Sequence, residues 1–376
     1  MKFTLQRHIA LAAMGAVQGA ISSGSVPILK NVLIQAADGI VDITATNNDI
    51  QVRHAIPDVR IDVEGAITVD AGKFRDSVNS LSEGADFVFE CAPKEGEVDQ
   101  RASLRSGRAR FTMFTLPASD FPTLNEDMSG GAGFTIAAEA LIRLFTIGGS
   151  CTANEKARPY LNGAFIHQAS NKALRVVSTD TRRMSWADKG GVEGIDGWAG
   201  VNLPTSTIDV VSRLLRNEAP EAQVTMDAVD TRVAFGIGRS TVVSKVIGGA
   251  YVPYERVVPT SFKAKLTADT DLMIGALNRA LVMMDSETST VTLHFEESGV
   301  AFTTRAANAG DAADAVSAEY SGDARHMNVN GAYLKDLLAR IRTENVVFRI
   351  CDDPSVITIN ETGDSDMFSF LAPQHG

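Results

Sequence analysis

The chain has 376 residues, 44% of them hydrophobic, and a formal net charge of −11. That length allows two or three domains, the apolar fraction excludes wholesale disorder, and no apolar run reaches the roughly 20 residues that a membrane-spanning helix needs. The acidic balance favours solubility and, taken globally, argues against nucleic acid as a partner, but it leaves open where the charge sits.

In chain order, the first element is ambiguous. Lys2 and Arg7 precede an apolar run at 9–17 followed by small residues, the outline of a short secretion signal. The alternative is an amphipathic helix with Leu5, Ile9, Ala13 and Val17 on one face. Internal recurrence decides. Phe3-Thr4-Leu5 ahead of a helical pattern returns as Phe134-Thr135-Ile136 before 140–147, and more loosely as Lys265-Leu266-Thr267 before 272–283. An internal copy is no secretion signal, so the segment reads as structural and the protein as cytoplasmic.

Residues 27–53 then read as a hairpin, 34–36 and 41–43 joined at Asp38-Gly39, a pair suited to the positive φ of a tight turn. Residues 161–185 answer it in the second third and 291–305 in the last. Each hairpin leads into the clearest recurrence: VDAGKFRDSVNSL at 69–81, LPTSTIDVVSRLL at 203–215 and VNGAYLKDLLARI at 329–341. Each ends a strand-like run, passes through small or polar cap-type residues and enters an amphipathic helix. Phe74, Ile208 and Leu334 coincide in register, as do Leu81, Leu215 and Ile341. Copies about 130 residues apart are whole domains, not solenoid repeats. As 13-residue helices, they would each span about 20 Å.

Further strands close each third: 86–90 and 103–116, then 223–226 and 232–237, then 346–351, 356–360 and 367–373. Ser129-Gly130-Gly131-Ala132-Gly133 reads as a flexible joint, and 260–265 as a second. The expectation is an α+β protein of three similar domains, 1–128, 129–259 and 260–376, each with two helices packed on antiparallel sheets. The recurring helices carry Lys73, Arg75, Arg213, Arg216, Lys335, Arg340 and Arg342 against only Asp76, Asp209 and Asp336. Solvated helix faces would explain that excess. So would a surface meeting phosphates, which needs Lys and Arg but no base readout.

No catalytic constellation emerges. Cys91, Cys151 and Cys351 form no CxxC and fit a reducing compartment. The six histidines lie singly, and neither a metal nor a cofactor is expected. Gly236-Ile237-Gly238 lacks the third glycine and the helix of a dinucleotide fold, so it reads as a bulge or turn. Residues 179–183 (TDTRR) could hold a phosphate, although a polar hairpin turn is the better reading of them. An enzyme on a triplicated scaffold would lack any recognisable acid, base or nucleophile set.

These residues together resemble the bacterial β sliding clamps, the processivity subunits of the replicative DNA polymerase. The resemblance runs through essentially the whole chain and is most specific at Met1-Lys2-Phe3-Thr4, PILKNVLIQAADG (27–39), SGRARF and TLPASDFP within 106–122, RPYLNG (158–163), STDTRRM (178–184), YERVVP (254–259) and NVNGAYLKDLL (328–338). It implies a non-catalytic homodimer, two three-domain crescents closing head to tail into a ring of six domains around duplex DNA, with helices inside and sheets outside. Its partners would be the polymerase catalytic subunit, a clamp loader and other proteins carrying a short clamp-binding peptide.

Carried over position by position, the peptide groove would comprise Leu161, Thr179, Thr181, Arg182, Arg183, Met184, Val252, Arg256, Val257, Asn330, Tyr333, Val356, Phe370, Leu371, Ala372 and Pro373. Its aliphatic members would take a Leu or Phe anchor. DNA contact falls to Lys73, Pro159 and Tyr160, with Arg7, Arg75, Arg213 and Arg340 beside them. Phe111 and Met113 would meet Val282 and Met283 across the dimer interface. The chain departs from the family pattern in places. Thr181-Arg182 stands where Gly-His is common, and the tail Leu371-Ala372-Pro373-Gln374-His375-Gly376 lacks two methionines. Ser23, Gly72 and Glu155 fall where Arg, Arg and Gln are expected. Such changes would also suit a specialised paralogue or an inhibitor-resistant variant with few partners.

Overall fold

The computed structural model describes residues 1–91, 101–284, 290–306, 309–352, 355–363 and 366–374, so His375 and Gly376 of the tail lie outside the described residues. The chain folds as two compact units, Met1–Glu139 with Ser206–Val246, and Ala140–Thr205 with Ile247–Gly376.

Among the described residues there are six α-helices: α1 (Arg7–Val17), α2 (Ala71–Asn79), α3 (Ala138–Gly148), α4 (Thr205–Leu215), α5 (Thr270–Leu281) and α6 (Gly331–Leu338). Each is entered directly from a strand. The recurrence seen in the sequence is therefore one local event made six times, an extended run that turns directly into a helix. Side-chain caps are visible in three of them. Asp70 accepts from Lys73 N at 2.8 Å, Asp269 from Leu272 N at 2.8 Å and Asn330 from Tyr333 N at 3.0 Å, each satisfying a backbone donor of the first turn.

Two expectations need correction here. The helices α2, α4 and α6 have 9, 11 and 8 residues, so each spans only about 12–16 Å rather than 20 Å. In α1 the buried face is Ala10, Ala13, Met14 and Val17, while Ile9 is half-buried and Leu5 belongs to the preceding strand Lys2–Gln6.

The first unit holds one sheet of 13 strands. Its hairpin Asn31–Ala37 with Ile40–Thr46 turns at Asp38-Gly39, with φ of 50° and 75°, as a two-residue turn requires. Strand Ile50–Ile56 pairs with Ile40–Thr46 on one side and with Ser240–Lys245 on the other, so the sheet of the first third runs on into that of the second. At the opposite end Gly65–Asp70 reaches Ala109–Leu116 through only two pairs, Thr68 with Leu116 and Val69 with Thr115. Phe3 stacks on Phe89 at 5.3 Å, and Phe74 of α2 sets its edge against Phe87 and Phe89. These buried rings fix α2 on the sheet.

The glycine-rich joint is not a loose linker. Strand Ala132–Ala137 already includes Gly133, and a Cβ at Gly131 would lie 2.1 Å from the Ala228 carbonyl oxygen. Glycine is required there by close strand approach.

The second unit carries a nine-stranded and a four-stranded sheet. In the larger one Arg183–Lys189 pairs with Met367–Leu371, joining the second third to the last, from Arg183 opposite Leu371 to Ala187 opposite Met367. The smaller sheet runs in the order Gly310–Ser317, Gly299–Ala306, Thr290–Glu296, Arg325–Asn330.

Candidate peptide groove and DNA-facing residues

The hairpin between strands Leu174–Thr179 and Arg183–Lys189 places a polar turn beside the chain's C-terminal strand. Thr179 Oγ1 donates to Arg183 O at 2.8 Å, and Asp180 Oδ1 accepts from the backbone N–H of both Arg182 and Arg183 at 2.9 Å. The simple hairpin reading of 179–183 holds. Thr181 sits at φ 74°, a left-handed conformation that a β-branched residue rarely adopts.

Beside this turn opens a cavity of about 510 Å³ within the second unit. Met184, Tyr254, Val356 and Phe370 form its floor, packed as a buried cluster with Val177 and Cys351. Leu161 closes one end, fully buried. Val252 and Pro253 make a wall with Val257, which is 48% exposed, while Thr179, Thr181, Arg256, Ser355 and Ala372 complete the lining. An apolar concavity of this size with few polar groups suits the anchoring side chains of a ligand.

A second, more polar cavity of about 370 Å³ is lined by Arg182, Thr290, Asn330, Tyr333, Pro373 and Gln374 and shares Ala372 with the first. The two cavities bring together every predicted groove residue except Arg183 and Leu371. Leu371 is 1% exposed and belongs to the core. Arg183 is a strut. Its Nε donates to Asp180 Oδ2 and its Nη1 to Asp336 Oδ2, both at 3.0 Å, and its guanidinium lies 4.1 Å over the Tyr333 ring. It ties the turn to α6.

Pro253, Tyr254, Ser355, Thr290 and Gln374 line the cavities but were not expected there. For Tyr254 a sequence signal existed in YERVVP. The phenol is held from below, where His167 Nδ1 lies 2.8 Å from Gln168 O and must donate to it, so Nε2 accepts from Tyr254 Oη at 2.9 Å. Burial pushes the Tyr254 phenol up to about 12 and lowers the His167 imidazole below its usual 6.5. Both therefore stay neutral at pH 7.

The predicted DNA-facing cations divide. Lys73 and Arg75 are exposed on α2, with Arg75 beside Asp76 at 3.3 Å. Three others are engaged at helix C-termini, where cations are favoured. Arg7 donates from Nη2 to Asn79 O and Asn79 Oδ1 at 3.0 Å, at the end of α2. Arg213 of α4 lies over Gly19 just past α1, close enough that a Cβ on Gly19 would meet its Nη2 at 1.9 Å. Arg340 Nε donates to Thr146 O in the last turn of α3 at 3.1 Å, and burial lowers its pKa. Pro159 is exposed, and the Tyr160 carbonyl accepts from Asn202 Nδ2 at 2.8 Å.

Of the expected interface residues, Val282 is 73% and Met283 37% exposed just beyond α5, and Phe111 is half-buried. Met113 is only 7% exposed, its place on the surface of strand Ala109–Leu116 taken by Phe114 at 68%. Among the described residues no group of three His, Cys, Asp or Glu could hold a metal ion, and no helix is long and apolar enough to cross a membrane.

Residues 1–125 match the N-terminal domain of the DNA polymerase III beta subunit, 136–253 its central domain and 255–375 its C-terminal domain. The chain belongs to the DNA polymerase III beta subunit family. It is a sliding clamp of the replicative polymerase, and its three clamp domains follow one another as the sequence recurrence implied. The beta sliding clamp of Caulobacter vibrioides is 32% identical over 99% of both chains, and that of Escherichia coli K12 29% identical over 99% of both. Among solved structures, the Caulobacter crescentus clamp, with polyethylene glycol bound at a putative beta-motif tethering region, superposes with a TM-score of 0.93 at 31% identity, covering 100% of this chain and 99% of that one. The Bartonella birtlesii clamp bound to griselimycin gives 0.94 at 27% identity, with both chains fully covered. A clamp is a processivity factor, not a catalyst, which accords with the lack of a catalytic set in the sequence.

Proposed function

We propose that two copies of this clamp close head to tail into a ring around duplex DNA, and that the cavity over Met184, Val356 and Phe370 receives a short peptide from each protein the ring tethers. Those proteins are the polymerase catalytic subunit, the clamp loader and other replication and repair factors, working with the clamp in the cytoplasm at the nucleoid. The apolar cavity is the observation that supports the peptide reading most, because all of its lining except Pro253, Tyr254 and Ser355 is nominated by the family resemblance.

In this reading the domains divide at 1–128, 129–259 and 260–376. Phe111 and Met113 lie at the dimer interface with Val282 and Met283, and Met113 acts there by supporting Phe111 from within. Lys73, Arg75, Pro159 and Tyr160 face DNA directly. Arg7, Arg213 and Arg340 contribute positive potential from helix ends. Contacts so few and so weakly basic guide the duplex without gripping it.

The test is retention on DNA. Clamp loaded on circular nicked DNA should stay through gel filtration and run off once the circle is cut. Equal retention on linear and circular DNA would refute encirclement.

A further inference from the structure

The polar cavity beside the apolar one has an unusual balance of hydrogen-bonding groups. The carboxylates nearest the turn are occupied. Asp180 accepts from two backbone N–H groups and from Arg183 Nε, while Asp336 accepts from Arg183 Nη1. Arg183 thus neutralises the local acids, and the neighbouring Arg182 guanidinium, exposed to solvent, has no carboxylate within ion-pairing distance among the described residues.

The two amides of the cavity are polarised the same way. Asn330 Oδ1 accepts from Tyr333 N at 3.0 Å, capping α6, and Gln374 Oε1 accepts from Thr290 Oγ1 at 2.7 Å. With their oxygens engaged, both amides have their NH₂ groups left to offer. No carboxylate lines either cavity. In a protein of net charge −11 the groove's lining charges are two arginines, Arg182 and Arg256.

We propose that the polar cavity takes the carboxylate of an acidic residue in the bound peptide, with Arg182 as its counter-charge, next to apolar residues seated over Met184 and Phe370. The inference rests on the peptide-groove reading and deepens it. A carboxylate brings a negative charge and two acceptor oxygens to the guanidinium and amide donors, whereas a side-chain amide of the same shape brings one acceptor oxygen and no charge to pair with Arg182. Arg182 therefore sets the specificity of this clamp toward acidic tethering peptides.

Two end-blocked peptides test it, acetyl-Ala-Glu-Leu-Ser-Leu-Phe-amide and its Gln counterpart, titrated calorimetrically into the full-length clamp. The Glu peptide should bind about fivefold more tightly in low salt, as for a solvent-accessible ion pair. That preference should shrink as salt rises from about 50 mM to about 500 mM. In Arg182→Gln the preference should vanish, with an unchanged thermal midpoint showing that the clamp is still folded. Equal binding of both peptides to the unaltered clamp, or a preference that survives in Arg182→Gln, overturns the acidic specificity but leaves the groove reading standing. Failure of both peptides to bind overturns the groove reading as well.

Discussion

Thr181 holds a left-handed backbone conformation at φ 74° in the turn that borders both cavities. For an L-residue this region costs about 1–2 kcal/mol, and β-branching puts threonine toward the upper figure. Thr181→Gly removes that strain but adds about 0.5–1 kcal/mol of backbone freedom to the unfolded chain. The difference is a net gain of about 1 kcal/mol. The local hydrogen bonds should not change, because Thr181 N donates to Thr179 Oγ1 at 3.1 Å whatever side chain it carries, and the Thr181 side chain is exposed. In a chain of this size such a gain raises the thermal midpoint by about 2 °C. Scanning calorimetry of Thr181→Gly, Thr181→Asn and Thr181→Val should therefore rank glycine first, asparagine next, and valine level with threonine. A midpoint lowered by glycine, or raised as far by valine, would refute strain as the controlling effect.

Arg143 of α3 donates to Glu361 Oε2 at 2.8 Å and to both Asp366 oxygens, clamping the helix to the connection between strands Ser355–Glu361 and Met367–Leu371. Arg143→Met should cost about 2 kcal/mol in denaturant unfolding, less than a fully buried pair because Asp366 is 45% exposed. Its pH profile should change as well. The Arg143 hydrogen bond, opposed by burial, holds the Asp366 carboxyl below its usual 3.8, so the pair's contribution is fully present above that value and lost as pH falls through the depressed one. The variant should lack this part of the acid-side loss, and an unchanged acid limb would count against the pairing. Val282 is 73% exposed on a strongly apolar residue, and Val282→Asp should shift the clamp from dimer toward monomer by light scattering. A variant that remains as dimeric as the parent would remove Val282 from the interface.

Much of the fold was legible because its signals are local. Asp38-Gly39 announces a turn through its own φ requirement, and Asp70 and Asn330 announce helix starts through their own side chains. The face of α1 was placed correctly at Ala13 and Val17 but missed Ala10 and Met14, since a small residue such as Ala10 carries little hydrophobic signal although the close packing of that helix needs it. The tight approach of Gly131 to Ala228 was read as looseness, since a glycine's sequence context does not say whether the space beside it is empty or full. Most of the lining of the two cavities was nominated by the family pattern, residue by residue. Arg183 and Leu371 were placed in that lining because a motif gives membership but not direction, and only the partners Asp180, Asp336 and the core decide which way each side chain goes. Charge along the helices likewise marked Arg7, Arg213 and Arg340 correctly as cations. It gave no hint that each would sit at the end of another helix, a contact formed between residues remote in the chain.

The ladder between Ile50–Ile56 and Ser240–Lys245 has a mechanical consequence. Five residue pairs, from Ser240 opposite His54 to Ser244 opposite Ile50, sew the first third to the second through main-chain hydrogen bonds. Such a seam asks little of the side chains it joins and so tolerates wholesale sequence drift. It is also as stiff in shear as the interior of any sheet. The junction is a weld, and any flexing that lets a closed ring admit DNA has to be found away from it.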